Sequence, residues 1–231
     1  MNWVLRVEPK NIYEKAYVIP HLACALPVPE TDSDKLLTDF SDHFLLLHLG
    51  SLLGPRNPNI LYQAYASFLN KSNERRKLAR MVMLGTVSKQ HLGENHLRDE
   101  LIKQGNLYIY NQRINYGASL QYGKKAVALI IIEAASKESP FFPAKLTDYL
   151  WLNKPILALT PEHSTTRDIL GPDYPLAAIP NNLEEIEHAL TIIWNEWIDG
   201  KAAEMLPNSR ALSICSEDRV MTQLNQILQR V

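Results

Sequence analysis

The 231 residues carry 24 basic and 25 acidic side chains, a formal net charge of −1. That balance leaves no electrostatic case for a nucleic-acid partner or an anionic membrane surface. No apolar run reaches the roughly 20 residues of a membrane span, and Met1-Asn-Trp-Val-Leu-Arg lacks the basic stretch and long apolar core of a signal peptide.

Cys24 and Cys215 have no metal-type spacing. They read as free thiols of the cytosol, with one disulfide as the alternative. Residues 1–42 read as an N-terminal extension and linker, interrupted by Pro20, Pro27 and Pro29 and acidic from Thr31 to Asp42. His43 to Leu49 is apolar nearly throughout, as a strand covered on both faces must be. Gly50 and Gly54 follow, and then Pro58 opens a helix over Asn59 to Asn70 with Ile60, Leu61, Ala64, Phe68 and Leu69 inward. Arg75 to Arg80 reads as a basic, polar connector or helix end. Met81 to Val87 is a second strand. His91 to Gln104 is a helix with Leu97, Leu101 and Ile102 inward and Gly105 at its end.

Leu107 to Tyr110 is the third strand, Tyr116 to Tyr122 a short helix or turn, and Ala126 to Ile132 the fourth strand. A Pro-rich loop then leads to a helix over Lys145 to Leu152, a strand over Pro155 to Leu159 and a helix capped by Ser164 or Thr165. Leu176 to Ile179 is a short sixth strand. Asn182 or Asn181 caps a long helix from Leu183 to about Asp199, with Ile186, Leu190, Ile193 and Trp197 on one face, and Glu217 to Arg230 is the last helix. Six strands alternating with helices predict an α/β, doubly wound, Rossmann-like parallel sheet over residues 43–202, with a helical segment over residues 203–231. Ligands of such sheets bind outside the carboxyl ends of the strands.

Two loops at that edge carry chemistry. Gly50 permits close backbone approach after the first strand, as a phosphate-binding turn requires. In Ser139-Pro-Phe-Phe-Pro-Ala-Lys-Leu-Thr-Asp-Tyr149, the helix start carries Lys145, a positive charge suited to a phosphate. Asp148, one turn on, can accept hydrogen bonds from sugar hydroxyls. Phe141 and Phe142 either pack on a base or sugar or anchor the loop. His48, inside a buried strand, reads as a satisfied core residue. His91 and His96 do not share a helix face, so a metal site is not expected.

Those two stretches, His48-Leu-Gly-Ser-Leu-Leu-Gly-Pro-Arg-Asn-Pro58 and Phe142-Pro-Ala-Lys-Leu-Thr-Asp-Tyr-Leu150 followed by Lys154-Pro-Ile-Leu-Ala158, resemble the C-terminal, donor-binding half of GT-B glycosyltransferases of the retaining "group 1" type. The resemblance implies half of a GT-B fold that binds a nucleotide-diphospho-sugar, such as a UDP- or GDP-sugar, without metal or cofactor. It implies glycosyl transfer to a glycan or lipid-linked acceptor in the cytoplasm or at the inner face of the membrane. Gly50 matches the family's glycine, Ser51 stands where an Arg is common, and Arg56 falls at the position of the family's Lys. Asp148 matches the acid that meets the ribose, while Pro140 stands where the first acid of the pair is expected. The turn at Arg113 is where the family meets the base through main-chain groups. The donor-binding set is thus Gly50, Ser51, Arg56 and Arg113, with Ser139, Phe142, Lys145 and Asp148 from the second loop. No catalytic residue is assigned.

The resemblance covers about Tyr17 to Gly200, so the acceptor half is expected from a partner chain, a homo-oligomer or a missing domain. The isolated chain is then expected to bind donor but transfer little. A non-catalytic scaffold that kept the fold is the alternative, motivated by Ser51 and Pro140. A nicotinamide-type Rossmann enzyme is disfavoured by the lack of Gly-x-Gly-x-x-Gly after the first strand.

Overall fold

A computed structural model describes Ile19 and residues 40–207 and 209–229. The readings on the N-terminal extension before residue 40, Cys24 among them, lie outside the described residues, apart from Ile19. Six parallel strands form the main sheet: β1 (Phe44–Leu49), β2 (Ala79–Leu84), β3 (Leu107–Tyr110), β4 (Ala128–Ile132), β6 (Ile156–Leu159) and β8 (Ala177–Ala178). Their order is β3-β2-β1-β4-β6-β8. Counted among themselves this is the doubly wound order 3-2-1-4-5-6, whose chain direction across the sheet reverses between β1 and β4. Two further strands, β5 (Glu138–Ser139) and β7 (His163–Ser164), pair in parallel as a separate two-stranded sheet.

Every residue of β1 and β4 is buried, as expected for central strands with helices on both faces. One face carries α1 (Asn59–Asn70), α2 (Asn73–Leu78), α3 (His96–Lys103) and α7 (Leu183–Ile198). The other carries α4 (Tyr116–Lys125), α5 (Ala144–Leu152), α6 (Thr165–Leu170) and α8 (Ser209–Ile214), and α9 (Glu217–Leu228) follows α8. Phe44, Phe68 and Trp194 meet ring to ring at 5.2–6.0 Å where α1 and α7 cross the start of β1, so Trp194 is a core residue.

The helix predicted over Asn59 to Asn70 is found with those bounds, and it also buries Tyr62 and Tyr65. Of the two readings of Arg75 to Arg80 the helix end is the one found, running into a strand start: Ser72 caps α2 by accepting from the Arg75 N–H, and β2 begins at Ala79. Other expectations need correction. The helix expected from His91 starts only at His96, because the Asn95 side chain caps it. Its Ile102 is 42% exposed rather than inward. Gly105 (φ +73°) follows that helix as expected.

Candidate functional site

The carboxyl edge gathers the loops after β1, β2, β3, β4 and β6. β1 ends at Gly50, whose φ is +95° and whose N–H donates to the Leu84 carbonyl at 2.8 Å. Gly85 (φ +143°) ends β2 beside it, and a Cβ there would overlap the Gly50 carbonyl. The loop after β1 is then tied to the loop after β2. Ser51 Oγ lies 2.7 Å from Thr86 Oγ1, the Leu52 N–H donates to the Thr86 carbonyl at 2.8 Å, and a His91 ring nitrogen lies 3.1 Å from the Leu53 carbonyl.

The second loop is built around Glu133, which follows β4 and is buried. Its carboxylate accepts from the hydroxyls of Ser139, Thr160 and Thr166. A buried carboxylate satisfied by three hydroxyls fixes the loops after β4 and β6 to each other. Ser139, expected to bind donor, is therefore directed into this internal network instead. Phe142 is half-buried against the core and anchors its loop, whereas Phe141 is 74% exposed.

α5 carries the two charged candidates and is set by its buried Tyr149. The Tyr149 hydroxyl accepts from the Leu49 N–H at 2.9 Å, pinning α5 beneath the end of β1. Burial pushes the Tyr149 phenol well up, so it stays neutral and holds this bond. One turn earlier, Lys145 Nζ reaches His48, 3.2 Å from Nε2. The other ring nitrogen, Nδ1, lies 3.0 Å from the Ile130 carbonyl. Since a carbonyl can only accept, Nδ1 carries the proton and Nε2 accepts from Lys145. Burial, then the Lys145 charge, holds the His48 imidazole well below its ordinary value and hence neutral.

Burial first, and then the charge of Arg56, lowers Lys145 to about 7. Arg56 also acts on His48, so its guanidinium stands near both. Among the described residues neither Lys145 nor Arg56 has a carboxylate partner. Two neighbouring cations, one substantially desolvated and neither paired, thus lie at the sheet's switch point next to Gly50. A Cβ on Gly50 would stand 3.6 Å from Lys145 Nζ, an ordinary contact distance, so the ammonium lies against that backbone turn.

Asp148 accepts from the Tyr116 hydroxyl at 2.6 Å, joining α5 to the start of α4. Gly50, Ser51, Arg56, Lys145 and Asp148 are thereby gathered at one edge. Arg113 is exposed on the turn between β3 and α4 and makes no hydrogen bond or ion pair with them. Reasoning from the sequence missed Gly85, Thr86, Tyr116, Glu133 and the contact of His48 with Lys145. Two polar clefts of about 470 and 640 Å³ lie elsewhere, lined respectively by Lys71, Arg75 and Glu187 and by Asn73, Arg76 and Asn106. The larger is at the amino edge of β2 and β3, away from the switch point.

No protein-family model and no curated protein matches the chain. Solved structures do. A trehalose-6-phosphate synthase from E. coli, bound with UDP-2-fluoro glucose, superposes with a TM-score of 0.60 at 14% identity, over 96% of this chain and 48% of that one. The α,α-trehalose-phosphate synthase (UDP-forming) from Burkholderia vietnamiensis gives 0.63 at 10% identity, over 87% and 48%. The corresponding enzyme from Burkholderia xenovorans, in complex with glucose-6-phosphate, gives 0.61 at 9%, over 87% and 46%. The chain spans about half the length of each structure it matches. At these identities the likeness shows the fold: a Rossmann-like half of the GT-B architecture. No helix among the described residues is long and apolar enough to cross a membrane.

Proposed function

We propose that this chain is the donor-binding part of a glycosyltransferase and that its carboxyl-edge site takes a nucleoside-diphospho-sugar. One observation carries the reading: Lys145 and Arg56 stand together without a carboxylate beside the Gly50 turn, a repulsive pair that a diphosphate would neutralise. The donor diphosphate would lie against Gly50, Ser51, Arg56 and Lys145. Asp148, held by Tyr116, would receive the ribose hydroxyls, with the base toward the turn at Arg113.

UDP is the favoured carrier, because the structural neighbours are UDP-forming or bound with a UDP-sugar. In the reaction the bond from the anomeric carbon to the diphosphate oxygen breaks, its electron pair leaving with the diphosphate. An acceptor hydroxyl oxygen bonds that carbon and gives up its proton to the departing diphosphate oxygen. The two cations and the start of α5 stabilise the leaving diphosphate. The acceptor, a glycan or lipid-linked sugar, would be held by residues outside those described or by a partner chain, with the reaction on the cytoplasmic side.

Calorimetric titration with UDP, GDP and ADP tests this reading. One nucleotide should bind, and an Arg56→Ala, Asp148→Ala double variant should lose it. A well-folded protein that binds none of the three contradicts the reading. That outcome would favour a scaffold that kept the fold, to which Ser51, bound to Thr86, and Ser139, bound to Glu133, also point.

A further inference from the structure

We infer that His48 is a positioning residue for the anion site: its neutral imidazole, fixed by Ile130, holds the Lys145 ammonium at the Gly50 turn without neutralising it. The inference rests on the donor-site reading and concerns the same site.

A lysine ammonium on a flexible stem is directed by whatever accepts its protons. A carboxylate in that place would orient it but also cancel the charge an anion needs. A neutral acceptor orients it and leaves the charge. His48 supplies such an acceptor, since Nδ1 is committed to the Ile130 carbonyl at 3.0 Å and Nε2 faces Lys145 Nζ at 3.2 Å. The ring is 1% exposed, so its orientation is set by packing within β1. Among the described residues no other hydrogen bond holds the ammonium, whose remaining two N–H donors are left for a ligand. A charge on His48 is opposed by its burial first, then by Lys145 and Arg56. The ring therefore does not become a competing cation.

The test uses inorganic pyrophosphate and UDP as probes, titrated into the whole chain at neutral pH. Pyrophosphate affinity should fall about tenfold in His48→Leu, the effect of one lost charge-assisted hydrogen bond. It should stay within about twofold of wild type in His48→Gln, whose amide can again donate to Ile130 and accept from Lys145. In a Lys145→Met background, His48→Leu should bring no further loss. If His48→Leu binds pyrophosphate as wild type does, or loses the same factor in both backgrounds, the inference is overturned while the donor site stands. A wild type that binds neither probe overturns the donor-site reading and the inference with it. Nitrogen NMR of the His48 ring decides the matter even if the Leu variant does not fold. The inference requires the proton on Nδ1 and an Nε2 resonance that moves in Lys145→Met. A proton on Nε2, or an unresponsive Nε2, overturns it.

Discussion

Gly85 lies with its backbone against that of Gly50, so closely that a Cβ on Gly85 would overlap the Gly50 carbonyl group. The two glycines end adjacent parallel strands at the edge where the site is built, and both have positive φ. A side chain at Gly85 would have to strain its own backbone and push the Gly50 turn. Gly85→Ala is expected to destabilise the fold by about 1–3 kcal/mol and to weaken pyrophosphate binding as the turn moves. Thermal melts and calorimetry check both effects. An unchanged melting temperature would show that the turn relaxes without consequence.

Glu133 joins the loops after β4 and β6 through three hydroxyls. Glu133→Ala leaves the buried Thr166 hydroxyl without its acceptor and Thr160 with Ser164 Oγ alone. A loss of about 2–4 kcal/mol in urea unfolding is expected, from the unmade hydrogen bonds and the space left. Glu133→Gln keeps the volume and one acceptor oxygen and should lose less. Equal, small losses in both would mean that the network contributes little.

Asp148 is oriented by the Tyr116 hydroxyl at 2.6 Å. If the carboxylate meets the ribose, Asp148→Ala should weaken UDP binding about tenfold and leave pyrophosphate binding unchanged. Tyr116→Phe should act in the same direction and less strongly. Equal losses for both probes would place Asp148 on the diphosphate or in folding, not on the sugar.

The lowered Lys145, at about 7 against an ordinary 10.5, makes anion binding depend on pH. The charged form binds the anion, and in the free protein it gives way to the neutral amine above about 7. The groups facing it are His48, held neutral by burial, and the guanidinium of Arg56. The ratio of UDP affinities between wild type and Lys145→Met should therefore be largest below pH 7 and decline above it. Ionisation of the nucleotide itself cancels in that ratio. In the free protein the unfolded chain keeps the lysine proton up to its ordinary value, so between about 7 and 10.5 the unfolded state holds more protons. The stability contribution of Lys145 thus rises with pH across that window, and Lys145→Met should remove the rise. A flat affinity ratio would show that the ammonium is charged well above neutrality.

The parallel sheet was legible because its strands are uninterrupted apolar runs and its helices carry local signals: Pro58 before α1, Asn182 before α7, Ser164 before α6. The strand pair β5 and β7 was not, since two-residue strands have no periodicity to detect. α2 is polar apart from Leu78 and buries nothing, so its length had no apolar periodicity to show it. Lys145 and Asp148 stood out because they share one motif with Tyr149. What holds them did not, because Tyr116 and His48 lie 32 and 97 residues away from their partners and nothing local marks the pairing. Ser139 illustrates the same limit of local reading: a polar residue in the edge loop, its hydroxyl faces an acid six residues earlier.

The most direct test of the donor site is a crystal structure of the chain soaked with UDP. The diphosphate should lie within hydrogen-bonding distance of Lys145 Nζ and against the Gly50 turn, with Asp148 on the ribose. A diphosphate found instead in the cleft lined by Lys71 and Arg75, or no nucleotide density at the carboxyl edge at saturating UDP, would contradict the account.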